Sequence, residues 1–157
     1  MAGRACHVVG STTRFGLTQV LALNSMQSSS RNQTLEELEG DRWGEPEFQS
    51  HLVTECHRLR KIPVGQFSVE NLRIMIGQGF GLAHLIPIAL ERLYDNPFLE
   101  GDFYPGDLLL AVAKAPSTFW EAHPNLQSEM QDVLGRAERA ADLVRDELLP
   151  AWAAHFR

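Results

Sequence analysis

The chain has 157 residues, 44% of them hydrophobic, and a formal net charge of −6, the size of one domain around one core. No run of about 18 apolar residues occurs, which argues against a membrane-spanning helix, and Gly10, Ser11, Thr12, Thr13 and Arg14 interrupt the opening where a signal-peptide core would lie. Residues 1–33 carry Arg4, Arg14 and Arg31 and no acid, so 11 basic and 20 acidic residues remain in 34–157, a net of −9; that sign disfavours direct binding to nucleic acid and favours a basic protein partner.

Residues 1–33 mix short apolar pairs such as Val8 and Val9 with turn formers and end in a polar run from Gln27 to Gln33. This composition predicts a poorly ordered extension ahead of a folded unit over 34–157. Cys6 and Cys56 lie in segments of different character, which fits free thiols in the cytosol better than a disulfide framework.

The next stretch, TLEELEGDRWGEPE, sets Glu36, Glu37, Glu39, Asp41, Glu45 and Glu47 around Trp43, with Arg42 as the only opposing charge. Like charges repel by about 1 kcal/mol per close pair in water and more when buried, so these carboxylates are expected to stay solvated or to face a basic partner. Trp43, in a loop punctuated by Gly44 and Pro46, is the best candidate anchor for such a contact; the competing reading is a tryptophan that clamps its own domain.

From Pro46 onward Phe48, Leu52, Cys56 and Leu59 recur at helical steps, which makes Pro46 a candidate first helical residue and Cys56 a core residue. Pro63 and Gly65 close that helix. Ser68 opens the next, with Glu70 against its dipole and Phe67 placed to staple onto Leu72. Leu72, Ile74, Met75 and Ile76 make it apolar on most sides, until Gly77, Gly79 and Gly81 impose a turn. A third helix carries Leu82, Leu85, Ile86, Ala89, Leu90 and Leu93, with Pro87 expected to bend it before Asn96 and Pro97 end it.

Residues 97–107, PFLEGDFYPGD, combine turn chemistry with aromatic side chains, and Asp107 is placed as the cap or first turn of a Leu- and Ala-rich helix. Ser117 opens a short turn with Phe119 and Trp120, and Pro124 starts a long helix with Leu126, Met130, Val133, Leu134, Ala137, Ala141, Val144 and Leu148 in register, ended or kinked by Pro150. Trp120 and Trp152, at helical positions, are expected in the core. No segment alternates as a strand does, so the expected fold is all-α, five to six helices.

Enzymatic readings find little support. The glycines of IGQGFGL follow a helix rather than a strand and match neither phosphate-binding fingerprint, so they are expected to serve close helix packing. Glu47, His51 and Glu55 at i, i+4 and i+8 converge poorly on a metal, and no HExxH or paired CxxC occurs. Cys56 and His57 point apart on a helix, and His84 and His123 read as structural histidines. A small hydrolase using Glu100, Asp102 and Asp107 with His84 is one alternative, and a helical adaptor for an ordinary cellular protein is another.

The words LEGDRWGEP at 38–46, LRIMIGQ at 72–78 and NPFLEGDFYPGDLL at 96–109 together resemble the immunity proteins of contact-dependent growth inhibition (CDI) systems, over a span from about Thr34 to about Trp120. The resemblance implies a small cytosolic protein without cofactor, metal or catalysis, which binds and neutralises the C-terminal toxin domain of a large secreted effector. Such toxins are often nucleases with basic surfaces, to which a domain of charge −9 is suited. The residues expected to meet the toxin are Glu36, Glu37, Glu39, Asp41, Trp43, Glu45 and Glu47, joined by Glu100, Asp102 and Asp107.

Overall fold

The computed structural model describes residues 30–46 and 50–156. Helices dominate, and among the described residues the only β-type pairings are isolated bridges, Thr34 with Pro63 and Glu100 with Pro105. The protein is all-α, as its patterning requires. The first helix, α1 (Leu35–Glu39), lies inside the acidic stretch and forms because Thr34 and Glu37 make a capping box: the Thr34 hydroxyl accepts from the Glu37 amide and the Thr34 amide donates to the Glu37 carboxylate. Gly40, at φ +65°, ends it.

Helix α2 spans His51–Leu59 and starts later than Pro46 suggests, because the Ser50 hydroxyl caps it by accepting from Val53. Glu47 and Phe48 fall outside the described residues. Helix α3 (Val69–Gly77) is capped by Ser68, whose hydroxyl accepts from Asn71, and Phe67 and Leu72 are both buried. Helix α4 (Leu82–Asp95) runs through Pro87 as one element and buries Leu85, Ile86, Ile88, Ala89, Leu90 and Leu93. Helices α5 (Asp107–Ala113), α6 (Ser117–Ala122) and α7 (Pro124–Leu143) follow.

Helices α3 and α4 form the centre. α3 packs against α2, α4 and α5, and α4 adds α7 along its other side, so both are enclosed by their neighbours. Cys56 is buried in this core as a free thiol, and burial pushes its pKa up. At the α3–α4 turn Gly79 and Gly81 take positive φ, and a Cβ on Gly81 would stand 2.7 Å from the Leu35 side chain. The glycine therefore serves close packing, here between the turn and α1. Arg31 and Gln33, at the end of the expected extension, meet the body: Arg31 pairs with Glu91 on α4, and the Val64 amide donates to the Gln33 carbonyl.

The C-terminal stripe departs from expectation. α7 buries only Met130 and Val133. At Val144–Leu148 the chain widens into a π-helical turn, where the Leu149 amide reaches back five residues to Val144, before α8 (Leu149–Ala153) carries Pro150 in its first turn. The wider turn accommodates a proline without ending the helix. Leu143, Val144, Leu148 and Leu149 are about half exposed and Trp152 is 66% exposed, so Trp152 is not a core residue. Periodicity marks which face is apolar, but burial needs a second element beside it, and past Val133 the described body offers none that buries this face. Trp120 does pack against the core.

Gly81→Ala is expected to destabilise the protein by about 2–4 kcal/mol, combining backbone strain with displacement of Leu35. Gly79→Ala, with an equally strained backbone but nothing within 4 Å of the new Cβ, is expected to cost only about 1–2 kcal/mol. Urea denaturation of the two variants against the parent protein measures the difference; equal losses would remove the Leu35 contact as the reason for glycine at 81.

Candidate protein-binding face

Two arginines organise the acidic residues singled out in the sequence. Arg60, at the end of α2, is 2% exposed. Its guanidinium donates to the Glu39 carboxylate at 2.5 Å and to the Asp41 carbonyl at 2.8 Å, and the Asp41 carboxylate lies 3.6 Å away. Trp43 covers it: the guanidinium stands 4.2 Å above the indole, which meets His57 and Phe80 edge-on at 4.9 and 4.8 Å and donates to the Asp41 carboxylate at 3.1 Å. A buried guanidinium must be paired, because an uncompensated charge in the interior costs several kcal/mol. Glu39, Asp41 and Trp43 supply that compensation, so Trp43 clamps its own domain.

Arg73 on α3 plays the corresponding part at the loop of residues 96–106. It donates to Glu70 through Nε at 2.6 Å and a terminal nitrogen at 2.5 Å, which holds the Glu70 carboxyl below the usual range, helped by the Asp102 amide donating to Glu70 at 3.0 Å. Asp107 is 4% exposed, and its carboxylate accepts from the Gly101 amide at 2.7 Å and the Phe103 amide at 3.2 Å. Gly101 is required here: a Cβ would approach the Glu70 and Asp107 carboxylate oxygens to 2.5 and 2.9 Å. Asp107 thus ties the loop to the start of α5 rather than facing outward.

The remaining expected contact residues sit at the surface. Glu37, Asp41 and Glu45 are exposed, Glu36 is half-buried, and Glu100 and Asp102 are exposed on the loop. Glu37 is engaged with Thr34, whose amide lowers its pKa. Glu47 lies outside the described residues. The two acidic groups are not one cluster. Phe80, which touches Trp43, is hydrogen-bonded to Met75 at the C-terminal end of α3, whereas Glu70 stands in its first turn. At 1.5 Å per residue these ends are about 10 Å apart.

The sequence reading missed two features. Arg60 and Arg73 look like ordinary surface cations in the sequence; Arg60 depends on carboxylates 19 and 21 residues away in the chain, and Arg73, though bonded to Glu70 three residues away, also meets Asp107, 34 residues away. The loop also presents Phe98, Phe103 and Tyr104 to solvent, at 43%, 66% and 49% exposure; the density of aromatic residues in PFLEGDFYP was the available signal. His123 is structural as expected, its Nδ1 donating to the Phe119 carbonyl at 2.8 Å. No described helix is long and apolar enough to cross a membrane.

The family model of the CDI immunity proteins matches residues 37–130, a span that takes in both arginine clamps and the aromatic loop. The chain belongs to the CDI immunity proteins. Its function is immunity, exerted on a cognate toxin. Among curated proteins and among solved structures nothing matches it. The matched span ends at Met130, close to Val133, the last residue that α7 buries. Family pattern and packed body thus nearly coincide at this end.

The clamps of this immunity protein make two predictions. Trp43→Ala is expected to lower stability by about 2 kcal/mol, read in urea unfolding, because it uncovers Arg60 and leaves a gap against Phe80; an unchanged midpoint would mean the clamp is idle. For Glu70 the sign follows from its lowered pKa: a carboxyl that titrates lower folded than unfolded contributes fully above about pH 4.3, and that contribution is lost as pH falls through the folded value. Glu70→Gln should therefore destabilise the protein at neutral pH, and its deficit against the parent should shrink below about pH 4. A deficit independent of pH would assign the loss to packing alone.

Proposed function

We propose that this CDI immunity protein neutralises a nuclease toxin by laying its acidic surface over the cationic surface with which the toxin holds nucleic acid. The observation that supports this reading is the charge of −9 over residues 34–157, combined with membership of the immunity family. Binding is the whole of its action; no chemical step is required of the immunity protein.

Not every carboxylate serves the partner. Glu39, Glu70 and Asp107 are held within the protein by arginine or backbone amides, and the exposed Glu37 and Asp41 are engaged in part by Thr34 and by Trp43 and Arg60, so the toxin-facing charge comes chiefly from Glu36 and Glu45 near α1 and from Glu100 and Asp102 on the loop. Charges on a rim act at a distance, raising the rate of productive encounter and setting orientation more than they strengthen the final complex. Occupying the phosphate-binding surface also excludes substrate directly, which makes active-site occlusion the simplest mode of inhibition.

Mixing the protein at equimolar ratio with the C-terminal domain of the effector encoded beside it should abolish cleavage of nucleic acid by that domain. The triple variant Glu36→Lys, Glu45→Lys and Glu100→Lys should slow association about tenfold or more at low salt, with the difference from the parent narrowing as salt rises. Unchanged stopped-flow association would exclude electrostatic steering by these residues, and a toxin without nuclease activity would remove the assigned target class.

A further inference from the structure

We propose that the loop of residues 96–106 is the anchor by which this protein grips its toxin, with the rings of Phe98, Phe103 and Tyr104 receiving arginine and lysine side chains of the partner. This rests on the toxin-binding reading above and names the contact within it. A soluble domain rarely leaves several large aromatic side chains exposed within a few residues of one another unless they meet something. Phe98 lies beside Gly106, whose Cβ position is 3.9 Å from its ring, so the near and far ends of the loop lie side by side.

The surroundings indicate the chemistry of the occupant. Asp95, Glu100 and Asp102 are exposed along the same segment, giving the aromatic patch a rim of negative charge. Aromatic centres ringed by polar groups have the composition of binding hot spots, and a negative rim selects a cationic partner. The protein already uses this contact internally: Arg73 stands 4.4 Å over the ring of Phe103 and Arg136 stands 4.4 Å over Tyr94. Phe103 nevertheless keeps 66% of its surface exposed, enough for a second group to approach.

The loop is also built to hold its shape before binding. The Gly106 amide donates to the Leu99 carbonyl at 3.1 Å, and Glu100 bridges to Pro105. Three successive tip amides, those of Gly101, Asp102 and Phe103, are fixed by the Asp107 and Glu70 carboxylates. A contact surface ordered in advance loses little conformational entropy on association. Trp43, by contrast, has its indole committed to Arg60, His57 and Phe80.

Calorimetric titration of the effector's C-terminal domain into the parent protein, Tyr104→Ala, Phe103→Ala and Phe103→Leu tests the assignment. Tyr104→Ala and Phe103→Ala should each weaken binding about 30-fold or more, with the melting temperature of Tyr104→Ala unchanged because only a solvent-facing side chain is removed. Phe103→Leu, which keeps apolar bulk but loses the ring face, should weaken binding about fivefold or more. Parent-like affinity in both alanine variants overturns the anchor while leaving toxin binding intact. Parent-like affinity in Phe103→Leu alone overturns the ring–cation contact. Failure of the parent protein itself to bind overturns the toxin-binding reading on which this proposal stands.

Discussion

The buried guanidinium of Arg60 is the constraint around which the acidic half of this molecule is arranged. A permanently charged group at 2% exposure cannot shed its charge at neutral pH, so the fold must bring partners to it. Those partners come from the last residue of α1 and the stretch that follows it: Glu39, the Asp41 carbonyl and carboxylate, and the face of Trp43. One cation thereby fixes the path of residues 39–43, which contain no regular structure beyond Glu39, and seats the tryptophan against α2 and Phe80.

Arg73, midway along α3, repeats the device for the loop of residues 96–106. It is paired with Glu70 and lies 3.8 Å from Asp107, while the two carboxylates turn their remaining acceptors to the amides of the loop. Charge-assisted hydrogen bonds of this type are stronger than neutral ones. They are also what allows a loop with two glycines and two prolines to adopt one conformation. The negative charge of the domain is thus divided between acids that hold loops in place and acids that remain at the surface.

That division matters for immunity. An inhibitor of a cationic enzyme needs negative potential at its surface, yet carboxylates crowded together destabilise the domain that carries them. Internal pairing to arginine relieves part of the repulsion and leaves exposed acids in two groups, one near α1 and one on the loop of residues 96–106. On the proposed toxin-binding reading, steering charge and apolar contact are supplied by different residues: the rim by carboxylates, the contact by the aromatic side chains of the loop.

The sequence alone determined the helical class, the cap at Ser68, the buried stripes of α3 and α4, and the excess of acid, because each depends on residues within a few positions of one another or on composition. It also pointed to close packing for the glycines of IGQGFGL, which holds for Gly81 alone: nothing stands within 4 Å of a Cβ at Gly77 or Gly79, and Leu35, the neighbour of Gly81, lies 46 residues away and is invisible to local pattern. Tertiary structure alone decided which acids stay outward. Glu39 and Glu45 are alike in sequence, and only the position of Arg60, which pairs with Glu39, separates them; Asp107 and Asp102 are alike until Gly101 and Phe103 fold their amides onto one and leave the other at the surface. The same holds for tryptophan. Trp43 and Trp152 each sit among residues compatible with burial or display, and the choice was made by what lies alongside: α2 and Phe80 around the first, and for the second a helix end carried beyond the packed body. Periodicity specifies a face, whereas its occupancy is a property of the whole fold.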